Sequence, residues 1–207
     1  SLFIKKSLEY HYKIIEAVDG VEGVLKAKEF IPDLIVSDLM MPKKNGYELC
    51  KDLKNDVKTS HIPIIILTAK AAMESKLEGL RGGANDYLTK PFNTEELLLR
   101  MNNLLEIRKK LQIHFTNKNT SSSDATNVLN PLDTEFLNQV EDIIEKNVSN
   151  TQFSVEDLAK EVFLSRSQLF RKIKALLGKT PTGLIRDFRL DRAMELLNNK
   201  KEELFII

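Results

Sequence analysis

Three residues of this 207-residue chain have the types and spacing for covalent chemistry: Asp38, Thr68 and Lys90. Each follows a short apolar or β-branched run, namely Leu34-Ile35-Val36-Ser37, Ile64-Ile65-Ile66-Leu67 and Tyr87-Leu88-Thr89. If these runs are successive strands of one parallel sheet, a carboxylate, a hydroxyl and an ammonium meet beyond its carboxyl edge, where ligands collect in open α/β sheets. The trio suits phosphorylation of the carboxylate. Asp38 would be the nucleophile, Lys90 would pair with the added charge, and the Thr68 hydroxyl would donate to a phosphoryl oxygen. Taken singly, an aspartate at a strand end, a Lys-Pro and a threonine after apolar residues have plainer roles in loops, turns and caps. Their joint spacing is what points to a site.

The elements that must position these groups alternate. Short β-branched runs at residues 12–17, 34–37, 62–67 and 86–88 are interleaved with helical periodicity at 21–30, 47–55, 71–81 and 94–110. That alternation predicts a parallel sheet with helices on both faces. The uniformly apolar run 62–67 suits a central strand buried on both sides. Residues 115–131 lose periodicity and fill with Asn, Thr, Ser and Asp, as in Thr120-Ser121-Ser122-Ser123-Asp124, which predicts a flexible linker. Beyond it, 3.6-type periodicity at 132–148, 154–162, 165–177 and 181–197 predicts a second, all-helical domain.

The first half resembles the response-regulator receiver family through Ser37-Asp38-Leu39-Met40-Met41-Pro42 with Asn45-Gly46, Leu67-Thr68-Ala69, and Tyr87-Leu88-Thr89-Lys90-Pro91-Phe92. The resemblance covers residues 1 to about 112 and implies a flavodoxin-like α/β fold with a parallel five-stranded sheet. It also implies phosphoryl transfer from a histidine-kinase phosphohistidine to Asp38, with magnesium bridging the phosphoryl group. The Met40 backbone carbonyl would be a metal ligand, Tyr87 would turn inward as Thr68 moves, and Lys90-Pro91 would be a cis peptide. By the family's spacing, the acidic pair that ends the first strand falls before Ser1, and Leu2 to Tyr10 reads as the remainder of the first helix. The expected sheet therefore lacks its first strand. Asp38 with one carbonyl is then expected to hold magnesium poorly, because that ion is usually bound through carboxylates in near-octahedral geometry.

In the second half charge is segregated. Lys160, Arg166, Arg171, Lys172, Lys174, Lys179, Arg186, Arg189 and Arg192 face only Glu161, Asp187 and Asp191, so an anionic partner is expected there. Ser154-Val155-Glu156-Asp157 caps a short helix, Phe163-Leu164 makes a turn, and Ser165 caps a helix over 166–177. Leu169, Ile173, Leu176 and Leu177 form its core stripe, which turns Arg166, Ser167, Phe170, Arg171 and Lys174 outward. A short helix, a tight turn and a basic helix have the form of a helix-turn-helix recognition unit. Arg166 and Arg171 could read guanine edges, while Lys172, Lys174 and Lys179 suit phosphates. Phe170 either meets a thymine methyl or, as we prefer, packs between helices. Residues 133–198 resemble the first part of an AraC-type DNA-binding domain through Ser165-Arg166-Ser167-Gln168-Leu169, Gly178-Lys179-Thr180-Pro181 and Arg189-Leu190-Asp191-Arg192-Ala193. In that family a second unit would follow Leu197, and 202–207 does not follow its pattern.

The resulting expectation is a receiver at 1–112, a linker at 113–132 and the first helix-turn-helix of an AraC-type domain at 133–207. Together these resemble the carboxyl-terminal portion of a hybrid two-component protein. A histidine kinase donates the phosphoryl group, double-stranded DNA and a second copy of the chain are the other expected partners, and no enzyme activity belongs to the chain itself. A stand-alone response regulator, a protein-interaction or phosphoryl-sink module without DNA binding, and a non-functional fragment are the alternatives. The longest apolar run is too short to span a bilayer, so a cytoplasmic location is expected, with the parent anchored in the inner membrane if it is a hybrid sensor. Cys50 has no disulfide partner, and His11, His61 and His114 lack zinc-site spacing. Arg81-Gly82-Gly83-Ala84 lacks the Lys-Ser/Thr of a phosphate loop. Met40 stands where a haloacid-dehalogenase-type phosphatase needs a second aspartate.

Overall fold

The computed structural model describes residues 5, 6, 8–69, 83–116 and 130–203. Its elements are α1 (Gly20–Phe30), β1 (Ile35–Asp38), α2 (Gly46–Lys54), β2 (Ile64–Ala69), β3 (Asp86–Lys90), α3 (Thr94–Thr116), α4 (Pro131–Lys146), α5 (Val155–Glu161), α6 (Arg166–Leu177) and α7 (Pro181–Glu203). The helix expected over 71–81, most of the expected linker and residues 204–207 lie outside the described residues.

β1, β2 and β3 form a parallel sheet in that order. Successive strand residues point to opposite faces, and β2 divides its side chains accordingly. Ile64 and Ile66 join Val24 and Ala27 of α1 and Leu49, Cys50 and Leu53 of α2. Ile65 and Leu67 join Leu8, Leu88 and the α3 residues Leu97 and Met101. The uniformly apolar β2 is therefore the centre of a three-layer arrangement, as its sequence predicts.

The expectation of a five-stranded sheet short of its first strand is corrected, because three strands are present among the described residues. Residues 12–17, expected as a strand, carry no regular structure. In the flavodoxin-like order the second strand pairs only with the first. Among the described residues no such neighbour is present, and the segment joins no ladder. It instead half-buries Tyr12 and Ile14 against the α3 side of the sheet, and the Tyr12 hydroxyl donates to Asn102 Oδ1 at 2.9 Å.

Local rules account for the helix ends. Asp19 accepts from the Val21 and Glu22 N–H groups at the start of α1. Reciprocal capping boxes open α2 (Asn45, Glu48), α5 (Ser154, Asp157) and α6 (Ser165, Gln168). Gly178 ends α6 at φ 70°, the left-handed conformation glycine adopts without a Cβ penalty. The expected linker, 113–132, is shorter than its composition suggested, since α3 continues to Thr116 and α4 begins at Pro131. The last helix likewise runs past Leu197 to Glu203.

The helices from α4 onward enclose their own core, in which Phe136, Val140, Ile144, Leu158, Leu169 and Ile173 are buried. Among the described residues none of the three apolar clusters spans both parts; side-chain hydrogen bonds join them beside apolar residues of α3 and α6, such as Ile107 and Ala175.

Candidate functional site

Asp38 and Lys90 are the last residues of β1 and β3, so both stand at the carboxyl edge of the sheet. The Lys90 ammonium is ion-paired with Asp38 Oδ2 across the end of β2. The two side chains remain 37% and 41% exposed, which leaves the carboxylate open to an incoming group. Asp38 Oδ1 accepts the Met40 N–H at 3.1 Å. Lys90-Pro91 is a cis peptide.

The loop after Asp38 is folded back on the strand end. Leu39 N–H donates to the Leu67 carbonyl at 2.8 Å, and Gly46 N–H donates to the Leu39 carbonyl at 2.9 Å. A Cβ on Gly46 would lie 2.6 Å from the Asp38 carbonyl oxygen, closer than backbone atoms can yield, so Asn45-Gly46 serves both as helix cap and as a close backbone fit against Asp38. A second staple escaped the sequence reading. Buried Asp19 pairs with Lys43 at 2.6 Å, tying this loop to the start of α1. The Lys43 and backbone partners of Asp19 hold its carboxyl below the usual aspartate range. An aspartate before Gly20 signals a cap; its pairing with Lys43 had no local signal.

Thr68 is buried at the adjacent strand end, one step beyond the Leu67 that faces Asp38 in the ladder. Its hydroxyl donates to the Ala69 carbonyl at 3.3 Å, so Thr68 shares the edge with Asp38 while its proton is directed to its own strand. Tyr87 pairs in register with Ile66 and packs against the core of α1 and α2. Burial first, then the nearby Cys50 and Tyr47, pushes its phenol up to about 12. Among the described residues, no group of three or more His, Cys, Asp or Glu side chains could hold a metal ion.

The basic helix α6 presents three faces, not two. Leu169, Ile173, Leu176 and Leu177 face the helical core, as expected. Arg166, Ser167, Phe170 and Lys174 face solvent, with Arg166 paired to Glu156 at 2.9 Å and the Lys174 ammonium 5.7 Å from the Phe170 ring. The third face meets the sheet-containing half. Gln168 Nε2 donates to the Lys28 carbonyl at 3.1 Å, Arg171 donates to the Phe30 carbonyl, and Lys172 Nζ donates to Ser60 Oγ at 3.1 Å. From the other side, Arg108 and Gln112 of α3 donate to the Ala175 carbonyl, satisfying a backbone acceptor in the last turn of α6.

Lys172 is therefore a correction. Expected at a DNA phosphate, it is 0% exposed and pairs at 2.5 Å with Asp133, itself 2% exposed, while lying 4.8 Å from the Phe136 ring. It is displaced by about 100° around the helix from the core stripe, onto the face covered by the receiver half. A lysine in Arg-Lys-Ile-Lys gives no sign of that. Lys179, also expected at a phosphate, is ion-paired with Asp187 at 2.6 Å.

An open parallel α/β sheet with a lysine-paired aspartate at its carboxyl edge defines a receiver-type module. Comparison with known proteins bears this out. Residues 2–102 match the model of the response regulator receiver domain. The transcriptional regulatory protein CiaR of Streptococcus pneumoniae is 34% identical over 175 residues, 83% of this chain and 73% of CiaR. Histidine kinase P4 of Formosa agariphila is 41% identical over 201 residues, which is 97% of this chain and 14% of that kinase. The chain thus spans a small part of that relative's length. The receiver domain of sensor histidine kinase PA1611 from Pseudomonas aeruginosa PAO1, solved with magnesium in its active-site cleft, is 30% identical, covers 51% of this chain and 84% of that one, and superposes with a TM-score of 0.46. The chain belongs to the response-regulator receiver family of two-component proteins. No helix of the described residues is long and apolar enough to cross a membrane.

Proposed function

We propose that this chain is the phosphoacceptor and output portion of a two-component signalling protein, in which phosphorylation of Asp38 governs DNA binding by the helices from α4 onward. The observation that supports it best is the Lys90 ammonium held on the half-exposed Asp38 carboxylate at the sheet's carboxyl edge. An Asp38 oxygen attacks the phosphorus of a kinase phosphohistidine. The O–P bond forms as the N–P bond breaks, and the imidazole leaves and takes up a proton. Lys90 then exchanges one carboxylate charge for the phosphoryl oxygens. Thr68 turns its hydroxyl from Ala69 to one of them, and Tyr87 follows on the same sheet face.

Magnesium fits this site only in part. Asp38 and the Met40 carbonyl would hold it, and the ion would neutralise phosphoryl charge, but a single carboxylate already shared with Lys90 makes weak binding the expectation. No step above depends on it. The chain itself turns over no substrate.

The output reading rests on α5, the four-residue turn and α6, which have helix-turn-helix form. We assign the first helix-turn-helix of an AraC-type domain to the region after the linker and the receiver to the region before it. Arg166, Ser167, Phe170 and Lys174 are the DNA-facing set, with Arg171 joining them once it leaves the Phe30 carbonyl. Phosphorylation would shift receiver packing or dimerisation and so alter how this face is offered, in the cytoplasm.

Acetyl phosphate with magnesium, followed by intact-mass measurement, tests the first step. Little or no gain of about 80 Da, the mass of one phosphoryl unit, is expected on the wild type and none on Asp38→Ala, whereas a version with the full acidic site should gain it readily. Gain on Asp38→Ala refutes the acceptor assignment, and rapid complete modification refutes the weak-metal reading. For output, fluorescence anisotropy with duplex DNA at several salt concentrations should show a steep salt dependence. Unchanged affinity and sequence preference in Arg166→Ala and Arg171→Ala would favour the phosphoryl-sink alternative, in which the third face of α6 serves only to dock on the receiver.

A further inference from the structure

Where the two halves meet there is a cavity of about 330 Å³, lined by Lys54, His61, Asn85 and Arg108 on the receiver side and by Asn130 and Asp133 from the helical side. Its volume lies at the small end of ligand pockets. The charges around it do not balance. The Lys54 ammonium donates only to the backbone carbonyls of Ile62 at 2.7 Å and Ser60 at 3.3 Å. The Arg108 guanidinium, 15% exposed, donates to the Ala175 and Asp33 carbonyls, and its nearest carboxylate, Asp33 at 3.6 Å, is 90% exposed. Asp133 is the one carboxylate lining the cavity among the described residues, and it is committed to Lys172. Three cations, Lys54, Arg108 and Lys172, therefore stand against one buried carboxylate, Asp133, and the exposed Asp33 that pairs with Arg108, although buried charge is costly without a partner. Both ring nitrogens of His61 are also buried here and have no hydrogen-bond partner in the structure. Buried polar nitrogens nearly always have one.

We propose that this cavity binds a small organic phosphate, with its phosphoryl group among Lys54, His61 and Arg108 and its organic part against Pro63, Leu104 and Ile107. An oxyanion supplies the missing negative charge and accepts from His61, Lys54 and Arg108 together. A bare phosphate leaves much of the volume unfilled, and the apolar wall gives the remainder something to contact. Burial lowers the basicity of Lys54 and Arg108 against the opposing pull of neighbouring acidic groups, and burial reinforced by Lys172, Arg108 and Lys54 lowers that of His61. Since both halves line the cavity, the ligand ties α6 to the receiver. The site thus becomes an input independent of Asp38 phosphorylation and of DNA.

Titration calorimetry of the whole chain with phenyl phosphate, inorganic phosphate and phenol tests this. Phenyl phosphate is expected to bind with a Kd below about 1 mM, inorganic phosphate about tenfold more weakly, and phenol undetectably. His61→Gln and Lys54→Met should each weaken phenyl phosphate by about tenfold or more. Because Lys54→Met removes a buried charge on which folding can depend, ¹⁵N imidazole signals of His61 in the wild type give a second reading and should move on saturation. Equal affinity for phosphate and phenyl phosphate overturns the organic part of the assignment. Absence of binding, or binding that leaves His61 unmoved and survives both variants, overturns the site.

Discussion

Removing the Asp133 carboxylate strikes the most concentrated buried charge in the molecule. In the intact chain, the Lys172 ammonium is compensated by that carboxylate at 2.5 Å, the Ser60 hydroxyl at 3.1 Å and the Phe136 ring at 4.8 Å. Asp133→Ala leaves only a neutral hydroxyl and an aromatic face, and Lys172 has no route to water without opening the contact with Ser60. Breaking one side of a fully buried pair costs about 3–5 kcal/mol, a large part of the 5–15 kcal/mol that typically holds a domain together. The face of Phe136 offsets about 2 kcal/mol of the desolvation, and that contact is present before and after the change. Replacing both partners, Asp133→Leu with Lys172→Met, removes the charges together and should restore stability to the wild-type value or exceed it by about 1–4 kcal/mol.

Urea unfolding followed by circular dichroism at neutral pH measures all four corners of the cycle. A loss below about 1 kcal/mol in Asp133→Ala would refute the reasoning, since that is the worth of an exposed pair. So would a double variant as unstable as the two singles added together, because coupled buried neighbours cannot be additive.

Three further outcomes follow from the same geometry. Cys50 is fully buried and burial pushes its thiol up to about 11, so a disulfide reagent at mildly alkaline pH should leave it untouched until urea unfolds the chain; prompt reaction of the native protein would contradict its placement. Burial, reinforced by Lys172, Arg108 and Lys54, holds His61 well below the ordinary histidine value of 6.5. The unfolded chain therefore takes up a proton near pH 6.5 that the folded chain resists. This contribution is intact above that pH and is lost as pH falls below it, so the urea midpoint should drop between about pH 7 and 5, and His61→Gln should flatten that drop. Gly46→Ala forces a methyl to within 2.6 Å of the Asp38 carbonyl, and should cost about 1–3 kcal/mol while slowing acetyl-phosphate labelling of a version with the full acidic site; a silent substitution would mean the loop does not position Asp38.

Much of this architecture was legible because it is local. Alternation places Ile64 and Ile66 on one side of β2 and Ile65 and Leu67 on the other, and each serine cap announces its helix. The edge-site trio was legible through spacing, and the structure brings Asp38 and Lys90 into contact. What failed to show depends on partners far away in the chain. Residues 12–17 carry a strand-like pattern, but a strand forms only against a neighbour. The receiver-facing stripe of α6 is Gln168, Arg171 and Lys172, whose polarity reads as a solvated face, so only the meeting with Lys28, Phe30 and Ser60 reveals it. The His61 cavity has no sequence signal, since its walls come from Lys54 to Leu176.

The placement of that meeting constrains how a signal could cross the molecule. The receiver groups that hold α6, at Lys28, Phe30 and Ser60, precede strands β1 and β2, whereas Asp38 and Lys90 end β1 and β3. The length of the sheet lies between them, about 13 Å for a four-residue strand. That exceeds the screening length of about 8 Å at physiological ionic strength, so added charge on half-exposed Asp38 has little direct pull on the exposed Arg171. Under the proposed phosphorylation, influence would pass mechanically, through Thr68 and Tyr87 to the α1 and α2 core in which the phenol packs, or along α3, whose Arg108 and Gln112 hold the end of α6. The receiving contact is suited to such a small push. Its polar part is built of hydrogen bonds worth about 1 kcal/mol each, and among the described residues none of the three apolar clusters spans it. Opening it leaves Lys172 paired with Asp133 on the same side of the gap, so separation costs hydrogen bonds without stranding a charge.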